Sequence, residues 1–188
     1  RVLFRSRNSE KYLSLEVGNF IFIDSFQFLS ASLETLVSNL LDKGRDSFLL
    51  TTKFVPDRKK QDLIMRKGVF CYDFIDSLDK FKCRQLPLAG HFYNRLTGQH
   101  ITADDYKHAS MIWQTFHCET LGDYHDVYLM SDVLLLADVF QNFRAMSLDY
   151  YMLDPAWYIS GPQLAFDACL KLTGVKLELI SEDRKSTR

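Results

Sequence analysis

The period of the apolar positions changes several times along the chain, and each change marks an element. Tyr12 to Val17 and Phe20 to Asp24 read as two strands, joined at Gly18-Asn19 by a two-residue hairpin turn. The second strand is almost wholly apolar (Phe20, Ile21, Phe22, Ile23), which is the pattern of a buried central strand. An amphipathic helix follows. Leu33, Leu36, Val37, Leu40 and Leu41 form its stripe, and Ser30 or Ser32 can cap it. From Arg45 to Lys67 no period holds, and the segment reads as an irregular, positively charged stretch. Tyr72 to Phe81 reads as a short strand or turn leading into a polar connection, and the residues from Gln85 to His91 as loop.

Helical periodicity returns at Thr102. Thr102 and Asp105 make a capping-box start, with Asp in place of Glu, for a helix that buries Ala109, Ile112, Trp113 and Phe116. Leu121-Gly122 reads as a break, and a long helix runs from about Asp123 to Tyr151. Pro155 and Gly161-Pro162 punctuate a linker. Gln163 to Thr173 is a short helix closed by Gly174, and Val175 to Ile180 is a strand.

Composition narrows the class. Hydrophobic residues make up 47% of the 188 and aromatic residues 14%, enough for a globular chain with a core of its own. The formal charge is −1, so any nucleic-acid contact must use a local patch. From Lys43 to Lys67 there are eight Lys/Arg against three Asp, and this is the place for such a patch. Cys71, Cys83, Cys118 and Cys169 are widely spaced without a C-x-x-C pair, which argues against a zinc site and suits reduced thiols. No apolar run approaches the length of a membrane helix, so no membrane partner is expected.

The two ends look foreign to the rest. Residues 183–188 can be encoded as GATCGGAAGAGCACACGT, whose reverse complement, shifted by one base, encodes Arg-Val-Leu-Phe-Arg-Ser, the sequence of residues 1–6. Such a pair resembles a sequencing adaptor translated with its insert, and both ends are set aside from fold reasoning. They carry five basic residues and one acidic one, which leaves about −5 for residues 7–182.

The long helix holds the candidate chemistry. Its stripe passes through Tyr124, Tyr128, Leu135, Val139, Phe143 and Met146, and Asp132 falls within it. A carboxylate on a core-facing stripe costs several kcal/mol unless a hydrogen-bond network, a basic side chain or a metal cation satisfies it. Tyr128, four residues earlier, lies on the same face. Two-ion hydrolysis of a phosphodiester brings about four carboxylates together, and a tyrosine one turn before the last of them can hold the attacking water. A Tyr-x-x-x-Asp spacing also recurs by chance, so the pentapeptide alone leaves a satisfied core aspartate as an open alternative.

The match extends well beyond five residues. The run Leu121-Gly-Asp-Tyr-His-Asp-Val-Tyr-Leu-Met-Ser-Asp-Val-Leu-Leu-Leu-Ala-Asp-Val-Phe140 resembles the third exonuclease motif of protein-primed family B DNA polymerases. It is most similar to those of Polinton/Maverick-type virus-like transposons, related viruses and linear plasmids. The resemblance continues through Phe143-Arg144, Asp149 to Pro155 and Gly161 to Leu179. Upstream it takes in Phe22 to Ser25, Lys67-Gly68 and Asp76-Ser77. The Tyr-x-x-x-Asp spacing is that of one branch of the DEDD exonucleases. The sister branch has histidine five residues before the aspartate, where this chain has Val127, and His125 is out of step.

The resemblance implies an incomplete α/β, ribonuclease-H-like 3′→5′ exonuclease domain over residues 7–154 and the start of a polymerase domain over 155–182. It implies that Asp132 ligates metal, in a two-ion site for Mg²⁺ or Mn²⁺, and that Tyr128 positions the water. Lys67, opening Lys67-Gly-Val-Phe70, looks like the K-x-x-hydrophobic motif whose lysine supports catalysis. Ser25 and Leu29 resemble the S/T-L-x-x-hydrophobic motif that contacts the single-stranded primer end and, in protein-primed members, the terminal protein. Phe26 replaces that motif's leucine, and Asp24 beside it is either a strand-end structural carboxylate or part of the site. Lys53, Arg58, Lys59 and Lys60 are candidates for tracking a phosphate backbone, or form a solvated loop.

The expected function is that of a DNA-directed DNA polymerase with proofreading, acting on DNA primer-template and dNTPs. The D-x-E first motif, the second motif and the palm motifs are not in the sequence. The chain alone is therefore expected neither to degrade nor to synthesise DNA. Two alternatives are a free-standing DEDD exonuclease, against which the segment from Gly161 to Leu179 argues, and a non-catalytic binding remnant of a decayed element, against which the intact Tyr128 and Asp132 argue.

Overall fold

The computed structural model describes the backbone of residues 2–8 and 11–178, and side chains from Ser14 onward. Two compact units are distinguished: residues 1–30 with 143–188, and residues 31–142.

The first unit contains an antiparallel sheet of order β1-β2-β3, with β1 Val2–Asn8, β2 Lys11–Val17 and β3 Phe20–Ile23. Val17 pairs with Phe20 and Ser14 with Ile23, so Gly18-Asn19 is the expected tight turn, and Gly18 has the positive φ (61°) that glycine adopts without a Cβ clash. The opening residues, set aside from fold reasoning, pair along β2 through the main chain. One expectation is corrected here: β3 is the sheet edge, not a buried centre, with Phe20, Ile21 and Phe22 73%, 65% and 56% exposed. An all-apolar run signals two covered faces only where other elements cover them.

After β3, Asp24 caps a single 3₁₀ turn, Ser25–Gln27, accepting from Phe26 N at 3.0 Å and Gln27 Nε2 at 3.1 Å. The ring of Phe28 lies 6.1 Å from that of Phe143, and a Cβ on Gly161 would come within 3.4 Å of Gln27 O, so the turn packs closely in this unit. Arg144 donates through Nε (2.9 Å) and Nη2 (2.6 Å) to Asp154, a two-pronged pair that fixes the chain as it leaves the long helix. Helix α6 (Gly161–Thr173) ends as expected on left-handed Gly174. Val175 to Glu178 is irregular and exposed rather than strand, with no partner strand among the described residues to complete a ladder; Leu179 and Ile180 lie outside the described residues.

The second unit is helical. α1 (Leu33–Asp42) is capped by Ser32 and buries Val37 and Leu40. The stretch expected to be irregular folds as α2 (Leu49–Phe54) and α3 (Arg58–Ile64). Helices this short leave too few turns for a period to show. The cap of α3 was nevertheless present in the sequence as Asp57, which accepts from Lys59 N at 2.8 Å and Lys60 N at 3.2 Å. Tyr72–Phe74 and Leu78–Lys82 are 3₁₀ turns.

α4 (Ala103–Thr115) starts on the Thr102–Asp105 box and buries His108, Ala109 and Ile112. It ends at His117, which has φ 56°. The chain therefore breaks there rather than at Leu121-Gly122, and α5 runs from Leu121 to Tyr151. A second reciprocal cap explains this start: Asp123 accepts from Thr120 N at 2.8 Å, and Thr120 Oγ1 accepts from Asp123 N at 3.2 Å. Cys71, Phe92, Ala109, Ile112, Cys118, Leu121 and Tyr124 form the main core of this unit.

Candidate functional site

The site is built on the face of α5 that carries Tyr128 and Asp132, together with the segment Arg66 to Tyr72. That segment is held from two directions. Tyr124, almost fully buried, donates its hydroxyl to Val69 O at 2.7 Å. Phe70 stacks on Tyr124 (6.1 Å between centroids, 14°) and on Tyr128 (5.4 Å, 29°). Gly68 allows the closest approach. A Cβ there would lie 3.1 Å from Tyr128 Cδ2, so only glycine leaves the ring undisturbed.

Tyr128 and Tyr72 share a hydrogen bond between their hydroxyls, 2.8 Å apart. Burial, and then the Tyr72 hydroxyl and the neighbouring Asp132 carboxylate, push the Tyr128 phenol well above its ordinary range, so the hydroxyl keeps its proton at any physiological pH. Asp132 is half-buried. Its Oδ1 is shut off from solvent and has no hydrogen-bond partner among the described residues. A carboxylate oxygen left this way is a hard anionic donor without a protein counterpart.

Lys67 and Tyr128 line one open cleft of about 390 Å³, together with Arg66, Tyr72, Glu34 and Asp105. Arg66 is engaged by Asp105. The sequence-predicted trio is thus partly gathered: Lys67 and Tyr128 share the cleft, and Asp132 sits one helical turn from Tyr128. Among the described residues no group of three or more His, Cys, Asp or Glu side chains converges to hold a metal ion. Asp132 therefore offers one ligand and not a complete set.

Ser25 and Leu29 belong to the other unit, where Ser25 opens the 3₁₀ turn and both are half-buried. Asp24 serves as that turn's cap, the structural role of the two considered, while Phe26 is 57% exposed. Lys53 lies in the last turn of α2. Arg58, Lys59 and Lys60 form the first turn of α3, so these cations are fixed on helices and not carried by a loop.

Sequence reasoning missed the most buried carboxylate. Asp138, 1% exposed, accepts from Leu50 N (2.7 Å), Thr51 N (2.9 Å) and Thr51 Oγ1 (2.7 Å). It caps α2 from a distance of 87 residues along the chain, because Phe48 at the helix entry offers no side-chain acceptor. Asn142, one turn on, donates to Ser47 O at 2.7 Å. The signal was an acid and an amide four residues apart, in line with the buried Ser131, Leu134 and Leu135. Tyr72, too, was read only as the start of a short strand or turn.

No family model, no curated protein and no solved structure matches the chain. Among the described residues no helix is long and apolar enough to cross a membrane.

Proposed function

We propose that the chain is part of a family B DNA-directed DNA polymerase, of the protein-primed kind, and that α5 carries the third motif of its 3′→5′ proofreading exonuclease. The supporting observation is the buried, unpartnered Oδ1 of Asp132, one turn beyond a phenol that keeps its proton. An ordinary core aspartate would be expected to spend that oxygen on a donor, as Asp138 does.

In this reading Asp132 is one ligand of a pair of Mg²⁺ or Mn²⁺ ions, and its partners are carboxylates of the parent protein's other motifs. When bound, the ions activate water and stabilise the leaving oxygen. The chain's own groups do the positioning. The neutral Tyr128 hydroxyl orients the attacking water, the Phe70 ring fixes the phenol, and the exposed Lys67 ammonium meets the scissile phosphate from the cleft wall. The fold proposed for the parent domain is ribonuclease-H-like, with residues from about Pro155 entering the polymerase domain. Its partners are primer-template DNA, a single-stranded 3′ end gripped in part by Ser25 and Leu29, dNTPs at the separate polymerase site, and a terminal protein.

The test uses the full-length polymerase. Asp132→Ala abolishes degradation of a labelled single strand while primer extension and melting temperature stay close to wild type. Tyr128→Phe slows degradation about 100-fold, the scale of losing one positioned hydroxyl. If Asp132→Asn retains full exonuclease activity, Asp132 is no metal ligand and the reading fails.

A further inference from the structure

A second cleft, of about 410 Å³, opens on another face of α5. Its apolar wall is Val55, Phe116, Val127 and Met130, and Phe54 stands at its mouth, 64% exposed. Around it the chain concentrates positive charge: from Lys53 to Lys60 there are four basic residues and one acid. That acid, Asp57, is committed to capping α3. Lys60 lies 5.0 Å from the centroid of the Phe116 ring and Lys53 5.9 Å from that of Phe54, so both ammonium groups are held beside aromatic faces at the cleft. Lys53, Arg58 and Lys59 are exposed, as a phosphate-tracking set must be.

We propose that this cleft is a binding site for one unpaired nucleobase of a single-stranded nucleic acid. The base stacks against Phe54 and the apolar wall, and Lys53, Arg58 and Lys59 take the flanking phosphates. Exposed aromatic surface beside a local excess of cations is the combination that single strands require, because every base offers a π-face and every link a negative charge. The charged residues lining the cleft itself are Lys60, Asp57 and Asp126, and the excess of cations stands beside it on α2 and α3, at Lys53, Arg58 and Lys59. Asp126 at the rim, 83% exposed, sets a limit: the strand's phosphates run on the α2–α3 side and not over α5. Val127 and Met130 line this cleft and Tyr128 the first, so neighbouring residues of one helix serve both. The site rests on single-stranded DNA being this protein's substrate, as proposed above, and adds a foothold away from the scissile bond.

The 188-residue chain is titrated with fluorescein-labelled oligothymidylate and with an abasic strand of equal length, in a series of salt concentrations. The expected result is that Phe54→Ser weakens oligothymidylate binding about fivefold or more, and leaves the already weaker abasic strand unchanged. Lys53→Glu with Lys59→Glu lowers the steepness of the salt dependence by about 1.4, or about 0.7 for each phosphate of a single strand that is no longer neutralised. Both substitutions are at exposed positions, and circular dichroism checks that the fold persists. An abasic strand that binds as well as oligothymidylate, or a Phe54→Ser variant that binds like wild type, overturns the proposal. So does a Phe54→Ser variant that leaves binding intact but reduces self-association in sedimentation, which would make the cleft an interface between copies. The cleft is judged by the Phe54→Ser titration and the nuclease reading by degradation with Asp132→Asn in the full-length polymerase, so failure here and failure of that reading are told apart.

Discussion

At the scale of single residues, three acids on one helix have been given three jobs by their surroundings. Asp123 ties the first turn of α5 to the preceding loop, Asp132 keeps a buried oxygen free, and Asp138 caps α2. The sequence shows five aspartates along this helix and cannot single out these three, because the distinction depends on which donors arrive from elsewhere, such as the amides of residues 50 and 51. Asp138→Ala leaves a buried amide, a half-buried amide and a buried hydroxyl without an acceptor. It should lower stability by about 2–4 kcal/mol, as losing charge-assisted hydrogen bonds does, measurable by urea unfolding of the chain. Gly68→Ala presses a methyl group on the Tyr128 ring. If the parent is the proposed polymerase, it should reduce exonuclease activity there far more than it reduces melting temperature. His108, buried against α3 with Nε2 2.8 Å from Leu63 O, has a pKa lowered chiefly by burial. The unfolded chain takes up this proton near the ordinary histidine value while the folded chain resists it. Folding therefore carries no penalty from His108 above about pH 6.5 and a growing one below it. Urea titrations at pH 7.5 and 5.5 should show the loss, and His108→Gln should flatten it.

At the scale of elements, caps and turns were legible wherever the signal was local. Gly18-Asn19, Ser32, Thr102 with Asp105, and Gly174 all stand where the sequence puts them, since each acts on backbone within a few residues. Thr102→Ala should cost about 1 kcal/mol for the same reason. What was not legible depends on distant partners. α2 and α3 are too short to show a period and are held by Asp138 and by packing around Val55 and Ile64. β3 carries the composition of a strand covered on both sides, yet is exposed on three of its four residues. An apolar, unpaired edge invites strand-to-strand association. Phe22→Lys should therefore reduce concentration-dependent self-association in sedimentation without lowering the melting temperature.

At the scale of the whole molecule, pH acts through two separated ranges. His108 weakens folding first as acid is added. Asp154, whose carboxyl is held below its usual range mainly by Arg144, keeps its contribution above the ordinary carboxylate value and loses it as the pH falls through the lowered one. Asp123, whose carboxyl is held below its usual range mainly by the Thr120 amide, acts in the same acid range. Unfolding followed from pH 7.5 to pH 3 should show two steps of destabilisation, and Asp154→Asn should shrink the lower one. The candidate site divides the same way. Tyr128, Asp132 and Lys67 were legible because a helix turn and a short loop motif carry them. The role of Tyr72, 56 residues from its hydroxyl partner, required the fold.

The distant cap on α2 has a practical consequence for anyone searching this chain for catalytic acids by mutagenesis. Asp138 is the best-hidden carboxylate of the helix, and replacing it would silence the protein as completely as replacing a metal ligand, by leaving less of it folded. On the proposed reading, a screen scored on activity alone would count two essential acids where only one touches substrate chemistry. Soluble yield recorded beside turnover separates them: the Asp138 variants fall on both axes, the Asp132 variants on one.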